Sequence, residues 1–394
     1  MAGRVAGGDP RRGGVRQGAA VPRRGGPARR RLPARGPMTV NRGVERELDM
    51  RTLTYWQAIS EATVQCMQAD ERVLVVGEGV DDFRGTYGTT KEAFARFGPD
   101  RVVDVPNSEN ATAGLAVGAA VAGMRPLVVH TRADFMFLAM DALVNLAAKW
   151  RYMYGGDKGG APVVMRGVVG RGWGQGATHS QSPHATFGHY AGLHVATPAT
   201  PADAKGLLIT ALTSDTPTVL IENRSLYPLT GEVPEEMTPV PFGVGRVARA
   251  GTDVTVVAAS LMVHEAERAA EQLSAQGISV EVVDVRSIRP LDDTIICESV
   301  AKTGRLVVAD TSWARYGFAA EVAAVVAERI PEALRSPVRR VTLPDCPAPV
   351  SWPLEEAFNP SATEIVKACL AVCDTTRSEL PALETVTAGF QGPY

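Results

Sequence analysis

Apolar and polar positions alternate in blocks along this chain. Short β-branched runs bounded by turn residues occur at 73–76, 102–105, 126–130, 163–165, 193–196 and 218–221. Ala-rich stretches with helical spacing lie between them at 111–122, 135–153 and 201–213. Runs that are apolar throughout, rather than at every second position, suit strands buried on both faces. Helices between such strands predict a parallel sheet covered on each side. A Pro-rich stretch, 228–241 (PLTGEVPEEMTPVP), reads as a linker. The alternation then restarts. Strands are expected at 254–258, 279–285, 305–309 and 338–342, with helices at 264–276, 292–301, 319–330 and 361–371. The pattern therefore predicts two doubly wound α/β domains, at 50–227 and 242–373, with a loose tail at 374–394.

Length and composition agree with that picture. The 394 residues, 45% of them hydrophobic, give enough chain to bury two cores without staples. The net charge of −2 conceals an asymmetry: residues 1–37 hold ten Arg and one Asp, so that segment carries +9 and the remainder −11. A body at −11 is poorly suited to nucleic acid, whose phosphates need a positive face. Five scattered cysteines (Cys66, Cys297, Cys346, Cys369, Cys373) show neither a disulfide framework nor metal-ligand spacing, which points to a reducing, cytoplasmic setting. No apolar run approaches the roughly 18 residues of a membrane span. Residues 1–49 form a basic extension of Arg, Gly, Pro and Ala with too little apolar surface to form a core. A transit peptide should carry Ser, which 1–37 lacks. A basic arm remains open beside a start site placed too early, with translation beginning at Met38 or Met50.

Nucleotide and hydrolase motifs are absent: there is no GxxxxGK[ST], no GxGxxG after a strand, no GxSxG and no HExxH. Three segments stand out instead. In 105–110 (VPNSEN) a strand ends in a turn and Glu109 opens an Ala-rich helix. A carboxylate there either caps the helix or faces a ligand at the sheet's carboxyl edge. In 132–135 (RADF) Phe135 is either a core residue or a ring that stacks on a ligand. In 176–182 (GATHSQS) His179 sits among hydroxyl and amide groups, where a general acid or base belongs. His184 and His189 follow, without acidic or Cys partners at metal-ligand spacing.

At these residues the chain resembles a known family. The matching segments are GEGV at 77–80, FGPDRVVD at 97–104, PNSENATAGLAVGAAVAGMRP at 106–126 and ADFMFLAMDALVN at 133–145. They continue with KWRYMYGG at 149–156, THSQS at 178–182, TPADAKGLL at 200–208, VDVRSIRPLD at 283–292 and KTGRLVVAD at 302–310. Together they resemble the β subunit of the thiamine-diphosphate-dependent decarboxylase component of 2-oxo acid dehydrogenases, a relative of transketolase. The resemblance implies a pyrimidine-binding domain followed by a transketolase C-terminal-like domain. It also implies that Glu109 hydrogen-bonds the cofactor's aminopyrimidine, that Phe135 contacts that ring, and that Glu78 lies between two active sites. His179 would donate a proton as the acyl group passes to lipoyl. The diphosphate and Mg²⁺ motif, GDG followed by Asn, is missing here, and in two-chain members it belongs to the α subunit. An α₂β₂ heterotetramer is therefore implied, with docking to a lipoyl acyltransferase core in large complexes. A K⁺ site is implied around 211–216, involving Ala211 and Asp215.

The chain also departs from the family. Asn107 replaces an apolar residue, and Val129-His-Thr-Arg132 replaces the usual Glu-Ile-Met-Phe. His130 and Arg132 either drifted, with Arg132 paired to an acid, or mark a more polar substrate. The alternative function is accordingly a two-chain transketolase-like enzyme that moves a two-carbon unit to a polar acceptor. A regulatory subunit with a dead site is the non-enzymatic alternative.

Overall fold

The computed structural model describes residues 49–82, 86–156, 159–170 and 174–373. The expected tail and, apart from Asp49, the expected basic extension lie outside the described residues.

The first half is built from β1 (Met50–Thr54), α1 (Tyr55–Ala69), β2 (Val73–Gly77), α2 (Lys91–Phe97), β3 (Val102–Asp104), α3 (Glu109–Val121) and β4 (Arg125–His130). It continues with α4 (Ala148–Tyr154), β5 (Val164–Val169), α5 (His184–Gly188), β6 (His194–Ala196), α6 (Pro201–Thr213), β7 (Thr218–Asn223) and β8 (Thr230–Pro234). The second half comprises β9 (Arg246–Arg249), β10 (Val254–Ala258), α7 (Leu261–Ser274), β11 (Val280–Asp284), β12 (Ser287–Arg289), α8 (Asp293–Thr303), β13 (Leu306–Trp313), α9 (Phe318–Arg329), β14 (Arg339–Leu343), α10 (Trp352–Phe358) and α11 (Ala362–Val372).

The larger sheet runs β12-β6-β7-β5-β4-β2-β3 and is parallel except for β12. One face packs Ile59 of α1 and Leu207 and Leu208 of α6 against Val75 and Leu127. The other packs Ala116 of α3, Met136 and Leu143 against Val128 and Met165. Each fully buried side chain of this size contributes about 1.5–3 kcal/mol, so both helical layers are firmly seated. The smaller sheet runs β14-β13-β10-β11-β9 and is likewise covered on both faces, by α7 and α11 and by α8 and α9. Both sheets match the doubly wound expectation.

Three features correct the sequence-based picture. The stretch read as a linker contains β8, which pairs antiparallel with β1 from Thr54↔Thr230 to Met50↔Pro234. The polar Thr-Gly-Glu start of β8 hides that strand from a search for apolar runs. The helix expected over 135–153 is instead a 3₁₀ helix Ala133–Ala139, a π-helical segment Asp141–Ala147 and then α4. Such tight and wide turns re-aim side chains near functional sites. Finally, β12 lies beyond the linker in sequence yet adds an antiparallel edge to the first sheet, with Ser287 opposite Ala196. The second half is thus stitched to the first. Among the described residues no helix is long and apolar enough to cross a membrane.

Candidate active site

The carboxyl ends of β2 and β4 lie side by side, and a ligand edge forms there. Gly77 closes β2 so tightly against β4 that a Cβ would sit 2.4 Å from the Val129 carbonyl oxygen. Gly79 then adopts φ 65°, and its N–H donates to Asp104 Oδ1 at 2.6 Å. This turn presents Glu78 to a cavity also lined by Glu109, Thr112, His130, Arg132 and Phe135. Burial, and the nearby charges of Glu109 and Asp104, raise the Glu78 carboxyl above its ordinary range. Glu109 is the first residue of α3, where a carboxylate is favoured by the helix dipole. Among the described residues no hydrogen bond reaches its carboxylate, so the group is available to a ligand in the cavity.

Phe135 is half-buried at this cavity instead of joining the core. Its neighbour Asp134 fixes the loop that carries His179: Asp134 Oδ1 accepts from the Gln181 amide N–H at 3.2 Å and from Gln181 Nε2 at 3.0 Å. Burial raises the Asp134 carboxyl, and these bonds partly offset it. The result places the His179 ring edge-on to Phe135, with centroids 5.2 Å apart and an interplanar angle of 85°. Thr178 Oγ1 engages His179 Nδ1 at 2.9 Å, which leaves the other ring nitrogen for proton transfer. The fold thus brings Glu78, Glu109, Phe135 and His179 together.

His130 is buried, and burial pushes it down to about 4, so it is neutral at physiological pH. Its Nε2 has no hydrogen-bond partner among the described residues. Arg132 makes no ion pair among the described residues; its Nη1 donates to the Gly170 carbonyl at 2.9 Å. The pairing with an acid expected from drift is therefore not what the fold provides. Sequence reading missed Arg224, which follows β7 and is 1% exposed. An arginine directly after an apolar strand at the ligand edge is the signal that marks it.

Ala211 and Asp215 lie apart from this cavity, at the end of α6. There the Arg125 guanidinium donates to the carbonyls of Leu212 and Ser214, at 3.3 and 2.8 Å, and to Asp215 Oδ1 at 2.7 Å. A side-chain cation thus already meets these three oxygens. His184 Nε2 donates to Asp310 Oδ1 at 2.9 Å across the two halves, and His189 packs edge-on against Tyr190. Among the described residues no group of His, Cys, Asp and Glu is arranged to hold a metal ion.

Carboxylate acceptors beside an aromatic face suit the amino and ring nitrogens of a flat heterocycle, and the cavity offers both. Arg132 is a cation at this cavity, but among the described residues there is no metal-ligand set for a diphosphate. The donor set thus fits the ring end of thiamine diphosphate.

Comparison with known proteins agrees. Residues 51–230 match the family "Transketolase, pyrimidine binding domain" and residues 243–365 match "Transketolase, C-terminal domain". The chain is 42% identical over 328 residues to the beta subunit of acetoin:2,6-dichlorophenolindophenol oxidoreductase of Cupriavidus necator, covering 81% of this chain and 96% of that one. It is 40% identical over 321 residues to the pyruvate dehydrogenase E1 component subunit beta of Rickettsia felis, covering 82% and 98%. Among solved structures it matches a split-gene transketolase, an inactive beta4 tetramer, with TM-score 0.66 and 25% identity over 82% of this chain and 99% of that one. These relatives favour the dehydrogenase reading over two-carbon transfer. The chain belongs to the E1 beta subunits of the thiamine-diphosphate-dependent 2-oxo acid dehydrogenases, within the transketolase-like family.

Proposed function

We propose that this chain, with an α subunit, decarboxylates a 2-oxo acid and passes the acyl group to lipoyl. The observation that carries the reading is the convergence of Glu109, Phe135 and His179 at one carboxyl edge of the sheet. When bound, thiamine diphosphate supplies the carbon nucleophile that attacks the 2-oxo carbonyl and the electron sink for CO₂ loss. Glu109 holds a proton against the pyrimidine nitrogen, and its place at the rigid start of α3 fixes the direction of that bond. Phe135 supports the ring face, and Glu78 adds a second carboxyl whose raised proton affinity favours a shared proton. His179, oriented by Thr178, delivers a proton where the acyl group leaves.

Mg²⁺ and the diphosphate fall to the α subunit. Leu115, Phe137, Leu138, Leu146, Tyr152, Met153 and Tyr154 are exposed on consecutive helices beside the cavity. An apolar face of this kind marks a protein interface, and we place the α subunit on it in an α₂β₂ assembly. A lipoyl acyltransferase core is the expected acceptor, in the cytoplasm.

The test is the assembled enzyme with Glu109→Gln. CO₂ release from a 2-oxo acid panel, read with an artificial electron acceptor, should fall about 10²-fold or more. Size-exclusion chromatography should show unchanged assembly. A variant within about threefold of the parent sinks the assignment of Glu109.

A further inference from the structure

Two guanidiniums are buried together along the same sheet edge. Arg132 follows β4 and Arg224 follows β7, with β5 between them in the sheet. Arg132 is 3% exposed and Arg224 1%. The only hydrogen bond from Arg132 among the described residues goes to the Gly170 carbonyl at the end of β5. Its Nε and Nη2 are fully buried and have no hydrogen-bond partner among the described residues. Arg224 Nη1 donates to Gln175 Oε1 at 3.3 Å. Burial first, and the charge of Arg132 second, lower Arg224 to about 9, so it stays protonated at neutral pH.

Burying the Arg132 charge while two of its donors stay idle is strongly unfavourable unless an anion joins it. The acids within electrostatic reach of Arg132 do not fill that role for it by contact among the described residues. Asp134 is bonded to Gln181 and is itself raised by burial. The charge of Glu355 acts on both arginines, and neither acid forms an ion pair with Arg132 among the described residues.

We propose that Arg132, backed by Arg224, binds a second anionic group of the substrate, a carboxylate or phosphate carried beyond the reacting carbons. This inference rests on the 2-oxo acid reading above. Position links the site to the chemistry, because Arg132 lines the cavity shared by Glu109 and Phe135. The planar guanidinium fork matches such a group with two parallel hydrogen bonds. The reacting carboxylate is the poorer occupant. Its charge disappears as CO₂ leaves, so a buried cation on it would stabilise the ground state more than the transition state. An uncharged aliphatic tail would leave the donors unpaired, and sites of this kind reject such analogues strongly. Neutral His130, whose buried Nε2 is also idle among the described residues, lines the same cavity and adds a further polar contact.

The experiment uses the enzyme assembled with its α subunit, thiamine diphosphate and Mg²⁺. 2-Oxoglutarate and 2-oxopentanoate share a chain length and differ in the terminal carboxylate. The parent should favour the diacid in kcat/KM by about tenfold or more. Arg132→Leu should raise KM for the diacid by at least about tenfold and leave the neutral acid within about threefold, while Arg132→Lys keeps part of the preference. Inorganic phosphate and succinate should each inhibit the parent competitively and protect it against thermal unfolding, and neither should do so in Arg132→Leu. The tighter of the two tells phosphate from carboxylate. Preference for the neutral acid, or an equal loss on both substrates in Arg132→Leu and Arg132→Lys, overturns the proposal. If no 2-oxo acid is turned over, the dehydrogenase reading fails by itself. Thermal protection by the two anions then decides the anion site, and its absence in the parent overturns it.

Discussion

Glu222→Gln is the most informative structural perturbation beneath the site. Arg166 on β5 and Glu222 on β7 are both 0% exposed and lie on adjacent parallel strands. Arg166 Nε donates to Glu222 Oε1 at 2.5 Å and Nη2 to Oε2 at 2.8 Å. Tyr227 OH donates to the same Oε2 at 2.8 Å, and Arg166 Nη2 also reaches Thr89 Oγ1 at 3.2 Å. Burial works against the Arg166 charge, and the Glu222 carboxylate more than restores it. Glutamine has nearly the same shape, but it turns one acceptor into a donor facing the guanidinium and leaves a buried charge without a counter-ion. Breaking such a pair costs about 3–5 kcal/mol. A chain of ordinary stability has about 5–15 kcal/mol in all, so the loss is a large fraction of the whole. At about 2–4 °C per kcal/mol the melting temperature should drop by roughly 6–20 °C. Tyr227→Phe removes one bond to the carboxylate and should cost about 1–3 kcal/mol. Arg166→Met/Glu222→Leu removes both charges and should recover most of the loss, as apolar replacements of buried pairs do. Urea unfolding followed by circular dichroism measures all four proteins, with unchanged m-values as the control. A Glu222→Gln loss below about 1 kcal/mol, or a double variant no better than the single, would refute the reasoning.

Two further predictions concern the seam between the halves and the turn that presents Glu78. Asp284 is fully buried, accepts from Arg246 Nε at 3.1 Å and from the Arg286 N–H at 3.0 Å, and is pushed up to about 7 by burial and by Asp203. An unfolded Asp titrates near 3.9, so between about pH 4 and 7 the folded chain holds the extra proton and loses stability as pH rises. Asp284→Asn should flatten that slope by at most about 1.4 kcal/mol per pH unit, read from unfolding curves across the window, and an unchanged slope rejects it. Gly77→Ala forces a Cβ against the Val129 carbonyl, so it should cost about 1–3 kcal/mol and weaken thiamine diphosphate binding in calorimetric titration of the assembled enzyme. Parental affinity and stability together would show that the β2–β4 contact does not position Glu78.

What the sequence made legible follows from where the physics is local. The strand at 254–258 and helix at 201–213 coincide with β10 and α6, because a continuous β-branched run and a Thr-Pro helix start are decided within a few residues. Thr200 Oγ1 does accept from the Asp203 N–H at 3.1 Å, as that start requires. β1, α1 and β8 were not legible. Gln57, Glu61 and Gln65 form a half-buried polar stripe along α1, and the Lys205–Glu61 ion pair ties that stripe to α6, a partner distant in sequence. The site divides in the same way. Glu109, Phe135 and His179 were found because their motifs match a family, whereas the bond from Gln181 to Asp134 that brings two of them together spans 47 positions and has no local signature. Arg224 became visible only once β5 and β7 were neighbours.

The sheet edge carries carboxyls after β2 and β3 and guanidiniums after β4 and β7, and this distribution bears on the division of labour between chains. Glu78, Glu109 and Asp104 gather at the acidic end, near β2 and β3, while Arg132 follows β4 and Arg224 follows β7, with Arg132 and Phe135 lining the same cavity as the two glutamates. Carboxyls suit the basic nitrogens of a ring and guanidiniums suit an anionic substrate tail. A diphosphate would have to cross the acidic end, where like charge repels it. That part of the cofactor also needs a metal ion, and among the described residues no group of His, Cys, Asp and Glu is arranged to hold one. Held by a second subunit over the exposed face of α3 and α4, the diphosphate would stay clear of the carboxyls while the ring reached them. Assembly also removes water from the cavity, which strengthens every charge-directed bond in it. Activity should therefore depend on the partner for two separate reasons, the missing anchor and the wet site, so supplying thiamine diphosphate and Mg²⁺ in excess to this chain alone remedies neither.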